Sequence, residues 1–231
     1  MPDFSTRSLL PEKMDEPDVA PDEVNKALNE LEVINKWLGG YDVVLNALNK
    51  LPLESPLTIM DIGCGGGDML RKIAEWAEKK GKNVNLIGVD RNPLMTAYAT
   101  RLSNEYPAIR YITADAFDDV LLHEKADITM NSLFCHHFDN KALISLITKM
   151  KQLTNHFVII NDLHRHPVAY YSIQLLTNFF SQSSLVKYDG PLSVARALTR
   201  KEWYYILSQA GINNYQLRWM WAWRWQLIIP K

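Results

Sequence analysis

The chain has 231 residues and a formal net charge of −1, and this length is enough for one sizeable core. The balanced charge argues against a broad basic surface for nucleic acid, and no apolar run approaches the ~20 residues that a membrane-spanning helix needs. Two cysteines are too few for a disulfide framework, and the first residues lack the apolar core of a signal peptide. We therefore expect a single cytoplasmic domain with reduced thiols, without nucleic-acid binding or membrane insertion.

The N-terminal part predicts an arm followed by a helical cap, residues 1–52. Residues 1–20 are rich in Pro and Asp and have no apolar period, which is typical of an extended segment. Pro21 then begins an amphipathic helix that ends at Gly39 and Gly40, and a second short helix covers about residues 41–51. The pattern leaves open whether these helices only pack on the core or also cover a pocket.

The stretch Thr58 to Asp68, TIMDIGCGGGD, predicts a buried strand, a tight glycine turn and a helix start. Glycines let a ligand touch the backbone, because they lack the Cβ atoms that would hold it away. Asp61 at the strand tip would repel a pyrophosphate, so it suits a ligand with an ammonium or amide there. A dinucleotide fingerprint counted from Gly63 would need glycine at position 68, where the chain has Asp68.

Strands and helices alternate through residues 53–161, which predicts a parallel sheet covered on both faces. The predicted strands after the glycine turn are 84–89, 109–113, 126–130 and 157–160, and the predicted helices are about 69–80, 92–102 and 141–153. Residues 162–198 interrupt the alternation as an insertion with its own helical pattern, which we interpret as a lid. A capping box at Thr199 begins a last helix, and the end of the chain predicts an antiparallel hairpin with its turn near Trp221.

These motifs together resemble the class I S-adenosylmethionine-dependent methyltransferases. The resemblance is carried by DIGCGGGD, the acid Asp90 after the second strand, the pair Asp115 and Ala116 after the third, and the terminal hairpin. It implies a Rossmann-like methyltransferase fold, that is, a doubly wound, seven-stranded, mostly parallel sheet with a C-terminal antiparallel hairpin. The N-terminal segment RSLLPEKMDEPD with its following helix, and the segments NSLFCHHF, DLHRHP and YDGPLSVARALT, further resemble bacterial methyltransferases of small aromatic or quinone-like metabolites.

The resemblance implies S-adenosylmethionine as cofactor and assigns the residues that bind it. The acid Asp90 would accept the ribose hydroxyls, Asp115 would accept the adenine amino group, and the tip of the fourth strand would pack against the methionine part. The predicted cofactor residues are Asp61, Gly63, Cys64, Gly65, Asp90, Arg91, Asp115, Ala116 and Asn131.

A base and an acceptor site are predicted after the fourth and fifth strands. A neutral imidazole near pH 7 can take the proton that methyl transfer to oxygen releases, so one of His136 and His137 is the predicted base, with Asp162 orienting it. Which of the two histidines acts is open. The predicted acceptor contacts are His164, Arg165, Tyr170 and Arg196. The His164–His166 pair lacks a third committed ligand, so we expect no metal.

The predicted function is methyl transfer to a hydroxyl, or less readily to a carbon, of a small, aromatic or quinol-like acceptor. Two alternatives stay open: an NAD(P)-dependent oxidoreductase of Rossmann type and a non-catalytic cofactor-binding subunit. The longer spacing to Asp90 argues against the oxidoreductase, which places its ribose acid about 20 residues after the fingerprint. The sequence predicts no particular oligomeric state. We expect the arm and the insertion to be mobile without ligand and ordered with it.

Overall fold

The computed structural model describes residues 3–16 and 18–231, so the part of the arm prediction that falls on Met1, Pro2 and Pro17 lies outside the described residues. One sheet of seven strands has the order β3-β2-β1-β4-β5-β7-β6. Its strands are β1 Leu57–Ile62, β2 Val84–Asp90, β3 Ile109–Thr113, β4 Ala126–Ser132, β5 Thr154–Leu163, β6 Gln216–Met220 and β7 Arg224–Pro230. Strands β1 to β5 pair in parallel, and β7 pairs antiparallel with both β5 and β6. The predicted sheet and terminal hairpin are confirmed.

Helices cover both faces of this sheet, as a doubly wound fold requires. They are α1 Pro21–Trp37, α2 Gly40–Lys50, α3 Asp68–Lys79, α4 Pro93–Leu102, α5 Asn140–Leu153, α6 Pro167–Phe180, α7 Ser184–Arg196 and α8 Arg200–Gln209. On one face, α5 and α8 bury Leu146 and Trp203 in a cluster that also holds Met60 and Ile62 of β1. On the other face, α2 and α3 contribute to a second cluster around Ile59. None of the helices among the described residues is both long and apolar enough to cross a membrane.

Two features differ from the expected boundaries for physical reasons. Strand β5 continues beyond the predicted residue 160, because its polar tip residues Asn161 and Asp162 still pair with β7, opposite Gln226 and Trp225. The apolar pattern of the sequence ends before these two residues, whereas the backbone pairing between β5 and β7 continues through both of them. The insertion after β5 forms two helices, and its second helix begins where the Ser183 hydroxyl accepts a hydrogen bond from the Val186 amide, N to Oγ 3.4 Å.

The arm follows a defined path over α7 and the loop after β4. The Arg7 guanidinium donates to the carbonyl oxygens of His136, Phe138 and Arg196. Further along the arm, the amides of a short 3-10 turn, Lys13–Asp15, donate to the carboxylate of Asp189 in α7. These contacts attach the arm through its backbone and polar groups. Such contacts leave no apolar period in the sequence, so the pattern of residues 1–20 does not predict them. Its predicted mobility without ligand remains a prediction.

Candidate active site

The glycine turn ties the tip of β1 to the tip of β2. The amides of Gly63 and Cys64 both donate to the carbonyl oxygen of Val89, at 2.8 and 3.0 Å, and the Gly65 amide donates to the carboxylate of Asp90 at 2.9 Å. Gly63 has a φ of 76°, and a Cβ at this position would overlap the ring of Phe134. The turn therefore needs glycine here both for its backbone angle and for its packing.

A cavity of about 250 Å³ opens above this turn. Asp90 is held at its edge, because its two carboxylate oxygens accept from the amides of Gly65 and Asn92, each at 2.9 Å. Burial raises the pKa of Asp90 above its usual value, although these two amides oppose the shift. Six of the predicted cofactor residues line this cavity, namely Gly63, Gly65, Asp90, Arg91, Asp115 and Ala116.

Asp61 lies beside the turn with an unmet hydrogen-bonding requirement. Its side chain is 1% exposed, and its Oδ1 atom has no hydrogen-bond partner among the described residues. Burial, reinforced by the charges of Asp68 and Asp90, raises the pKa of Asp61 well above its usual value. A buried acceptor without a partner costs free energy, so an ammonium brought to this end of the turn would relieve it. The chemistry of this donor and acceptor set therefore fits a cofactor with an amino acid moiety.

Two predicted cofactor residues have side chains that contact other groups, and their role in cofactor binding remains a prediction. The thiol of Cys64 is buried toward β2, where a Cβ on Gly88 would lie 2.9 Å from it, and the Cys64 amide is already bonded to Val89. Asn131 is fully buried at the tip of β4, where its amide contacts the Met150 sulfur and accepts from the Cys135 thiol. In the described part of the chain neither residue lines the cofactor cavity.

A second cavity of about 400 Å³ lies between α1, α6, α7 and the turn of the terminal hairpin. Its walls are mainly apolar, and polar side chains converge at the end nearest the sheet. Met14, Leu133 and His137 line both cavities, so the two spaces meet at these three residues. Leu133 has a φ of 55°, a conformation that is uncommon outside glycine and that clusters at functional sites.

His136 is held between two carboxylates. Its Nδ1 lies 2.7 Å from Oδ1 of Asp162, and its Nε2 lies 3.5 Å from Oε1 of Glu12. Burial favours the neutral ring, but the Asp162 and Glu12 carboxylates outweigh it and raise the pKa of His136 to about 10. The ring is therefore an imidazolium at pH 7, and its second nitrogen is not free to take a proton. The predicted contact between Asp162 and one of the two histidines is present, and the other nitrogen of this ring faces Glu12.

His137 stands beside His136 at the junction of the cavities. A 3-10 turn over Cys135–His137 brings the two ring centroids to 4.5 Å, so the loop bends enough to place both rings on one side. Nδ1 of His137 lies 2.9 Å from Oδ2 of Asp15, and Nε2 lies 3.8 Å from Oε2 of Glu12. This ring is half-buried and borders both cavities.

Glu12 is the site residue that sequence reasoning missed. It is 3% exposed, and it accepts a hydrogen bond from the Ser193 hydroxyl in addition to its contacts with both histidines. Burial alone would raise the pKa of Glu12, but its hydrogen bond to His136 and the charge of that ring lower it. The available signal was that Glu12 lies in RSLLPEKMDEPD, one of the segments that carry the resemblance, but no apolar period there predicts which acid is buried.

The same three residues have the composition of a metal site. Ligand atoms of Glu12, His136 and His137 all lie within 4.8 Å of one another. The charge of the carboxylate is already balanced here, because His136 carries a proton and Nε of Arg196 lies 3.7 Å from Glu12 Oε1. A cation would have to displace that proton, so the expectation of no metal is kept as a prediction.

None of the four predicted acceptor residues lines the second cavity in the part of the chain that the structure describes, and their acceptor contacts remain a prediction. Arg165 donates to the carbonyl oxygens of Phe4 and Ala197 and pairs with Glu202, and Arg196 donates to the carbonyl oxygens of Leu10, His136 and His137. Both arginines thus fasten the arm, and Arg196 also holds the loop of His136 and His137.

The other two predicted acceptor residues are aromatic packing groups. The ring of His164 packs 4.7 Å from Trp225, and burial lowers the pKa of His164 to about 4. Tyr170 packs edge-on against Phe4. The residues that do line the cavity come from α1, α6, α7 and the hairpin turn, whose apolar side chains resemble ordinary core in the sequence.

Comparisons with known proteins agree with this geometry. Residues 59–156 match the family model described as a methyltransferase domain. This segment of the chain is therefore similar to a methyltransferase domain. It includes the glycine turn, Asp90, Asp115, His136 and His137, and the sheet around it has the fold of the S-adenosylmethionine-dependent methyltransferases. The predicted fold is confirmed, and the match to a methyltransferase domain agrees with the predicted cofactor.

The relatives of this segment in sequence include a viral protein. A protein of Invertebrate iridescent virus 6 named as a methyltransferase, 235L, is 31% identical over 134 residues, which are 51% of this chain and 46% of that protein. The chain therefore spans just under half the length of this curated relative.

Solved structures share the fold over nearly the whole chain. A Nostoc punctiforme protein described as an O-methyltransferase has a TM-score of 0.65 at 18% identity, over 99% of this chain and 65% of its own. The plantazolicin methyltransferase BpumL, solved with S-adenosylhomocysteine, has a TM-score of 0.65 at 18% identity, over 94% and 91%. Carbon methyltransferases such as that of CurJ share the fold too.

Proposed function

We propose that this protein transfers the methyl group of S-adenosylmethionine to an oxygen of a small hydroxylated acceptor, aromatic or quinol-like. The observation that carries the proposal is the junction of the two cavities at Leu133 and His137. A cofactor cavity and an acceptor cavity that meet at a titratable side chain provide what methyl transfer needs, namely two substrates in line and a proton acceptor between them.

On this proposal the glycine turn and the strand tips hold the cofactor. Asp90 accepts the ribose hydroxyls from a position fixed by two amides, Asp115 lies at the adenine end, and the unpaired Oδ1 of Asp61 accepts from the ammonium. When bound, the cofactor supplies an already electrophilic methyl group on its sulfonium. The protein therefore has to position both partners, exclude water and remove the proton of the acceptor.

We assign the proton-accepting role to His137. The imidazole of His137 would take the proton of the acceptor hydroxyl as that oxygen is methylated, because the ring lies where the two cavities meet. His136 is a positioning residue on this assignment, because its raised pKa keeps it charged between Asp162 and Glu12. Its charge fixes the Glu12 carboxylate, whose other oxygen lies near His137 and can stabilise the imidazolium that forms there.

Oxygen is favoured over carbon because a hydroxyl has a proton that an adjacent imidazole can take. A phenol ionises near pH 10, as the tyrosine side chain does, so an imidazole close to it can complete the transfer. The two other functions predict different properties. A nicotinamide oxidoreductase would bind NADH more tightly than S-adenosylmethionine, and a non-catalytic subunit would need no second cavity beside the cofactor site.

The test measures cofactor binding first and the rate of methylation second. Calorimetry with S-adenosylmethionine and with NADH decides the cofactor, and tighter binding of NADH would refute the proposal. A library of phenols and quinols with labelled cofactor then identifies an acceptor.

Replacing His137→Ala should lower the methylation rate at pH 7 by ~10²-fold, with a deficit that shrinks at high pH as the acceptor ionises unaided. His156→Ala, on the exposed start of β5, is the matched control and should keep the rate. A normal rate in the His137 variant at pH 7 would rule out its role as base.

A further inference from the structure

A second apolar groove continues outward from the acceptor cavity. It has a volume of about 620 Å³ and runs between α1 and α6. Ile34, Leu38 and Leu176 line both the acceptor cavity and this groove, so these three side chains form the passage between them. The space available to an acceptor therefore extends from the histidines to the protein surface.

The groove is built from apolar side chains at helical spacing on two neighbouring helices. Val33 and Trp37 are four residues apart on α1, and Leu176 and Phe180 are four residues apart on α6, so each pair presents one face. Trp37 is 76% exposed and Phe180 is 83% exposed. Large apolar side chains gathered in an exposed groove mark a site that binds an apolar ligand or partner.

Polarity changes along this path. At the inner end Glu12, His136 and His137 surround the place where chemistry would occur, and beyond the passage the walls are aliphatic and aromatic. At the outer end Glu30 of α1 accepts hydrogen bonds from the Ser181 hydroxyl and the Gln182 amide, which ties the end of α6 to α1. The path thus has a polar inner end, an apolar middle and a polar rim where it reaches water.

We infer that the methyl acceptor is an amphiphile, with a hydroxylated head at His137 and a hydrocarbon tail that passes Leu176 into the α1–α6 groove. The inference rests on the proposed function and specifies its substrate class. The volumes support it, because a dry cavity of roughly 150 Å³ already holds a single benzene ring, and the acceptor cavity alone is much larger. A head without a tail would leave the passage and the groove unfilled.

The test is a series of 4-alkylphenols of increasing chain length, used below their micelle concentration. Each methylene that enters the groove should raise kcat/KM by about fourfold, the ratio that corresponds to ~0.8 kcal/mol per buried CH₂. The gain should stop when the chain reaches the Glu30 rim. A rate that does not depend on chain length would overturn the inference.

Two adjacent leucines of α6 provide a matched pair of variants. Leu176 borders both spaces, whereas Leu175 is 61% exposed and lines neither among the described residues. Leu176→Asp should abolish the gain with chain length by placing a charge in the passage, and Leu175→Asp should retain it. Circular dichroism of both variants checks their folding. Equal losses in the two variants would show that helix stability, and not the passage, causes the effect.

A binding measurement separates this inference from the proposed function. Quenching of tryptophan fluorescence, with Trp37 as reporter and Trp37→Phe as reference, measures the Kd of the same alkylphenols without methyl transfer. If no phenol is methylated but Kd falls about fourfold per methylene, the proposed function fails, while the part of the inference that places a hydrocarbon tail in the groove is supported. If the protein instead sediments with phospholipid vesicles and binds no alkylphenol, the groove is a membrane-docking surface and the inference is overturned.

Discussion

Replacing Glu12→Gln tests whether charge holds the arm against the histidines. The change keeps the size of a side chain that is 5% exposed and removes its charge beside His136, where Nε2 and Oε1 are 3.5 Å apart. Removing one partner of a buried ion pair typically costs 3–5 kcal/mol. Asp162 still pairs with the ring at 2.7 Å, and the amide oxygen can still accept from Ser193, so we expect a loss of about 2 kcal/mol in the free energy of unfolding.

The pH dependence identifies the cause of that loss. A group whose pKa is raised by folding stabilises the folded state fully below its unfolded pKa and loses this contribution as pH rises to its folded pKa. For His136 this window runs from about 6.5 to about 10. Urea unfolding should therefore show the full deficit of the variant near pH 6 and little deficit near pH 10, while nuclear magnetic resonance should show a lower pKa of His136.

Glu16→Gln is the matched control, because Glu16 is an exposed acid of the same arm. It should leave both the stability and the pKa of His136 unchanged. A deficit in the Glu12 variant that is equal at both pH values would mean that packing, and not charge, is lost. An unchanged pKa of His136 would refute the reasoning directly.

Other predictions concern the cofactor site and the closing segments. Asp90→Ala should weaken S-adenosylmethionine binding by about 1.5–3 kcal/mol in calorimetry, because a charged acceptor held by two amides is lost; an unchanged affinity would place the ribose elsewhere. Gly63→Val should weaken it further, because the side chain displaces Phe134 from the cavity edge, and normal binding would exclude the turn as the site. Hydrogen exchange in residues 1–20 and 165–198 should slow when S-adenosylhomocysteine binds, and equal exchange in both states would contradict a lid. Dialysis against EDTA should leave the methylation rate unchanged, and a loss restored by a divalent cation would assign Glu12 and its neighbours to a metal.

The sheet was predictable because its signals are local. Strand β3 has the predicted bounds, and α3 and α5 begin one residue before the predicted positions, since apolar period and cap residues decide where such elements lie. The capping box at Thr199 is present as predicted, with the Glu202 side chain bonded to the Thr199 amide at 2.7 Å. The same local reasoning located the strand tips, and with them the cavity that borders Gly63 and Asp90.

The acceptor side was not predictable in the same way, because it depends on contacts between distant segments. Arg165 was predicted to contact the acceptor, but its guanidinium donates to carbonyl oxygens of residues far away in the chain. Glu12 looked like a solvated acid, but it is buried against a histidine loop that no local pattern connects with it. Charged side chains that join distant segments do not recur at a regular spacing in the sequence. Only the tertiary structure shows which groups they bind.

The cofactor cavity and the acceptor cavity are formed by different parts of the chain, and this limits what the match to the family model can show about each of them. The matched segment, residues 59–156, contains the turn and strand tips at the cofactor cavity together with His136 and His137. Apart from Leu133, His136 and His137, most of the walls of the acceptor cavity come from outside it, from the arm and α1 on one side and from α6, α7 and the hairpin turn on the other. On the proposed function, the matched segment would hold the methyl donor and the flanking segments would determine which acceptor fits. Acceptor specificity should change with substitutions in those segments, such as at Leu176, without change in cofactor affinity.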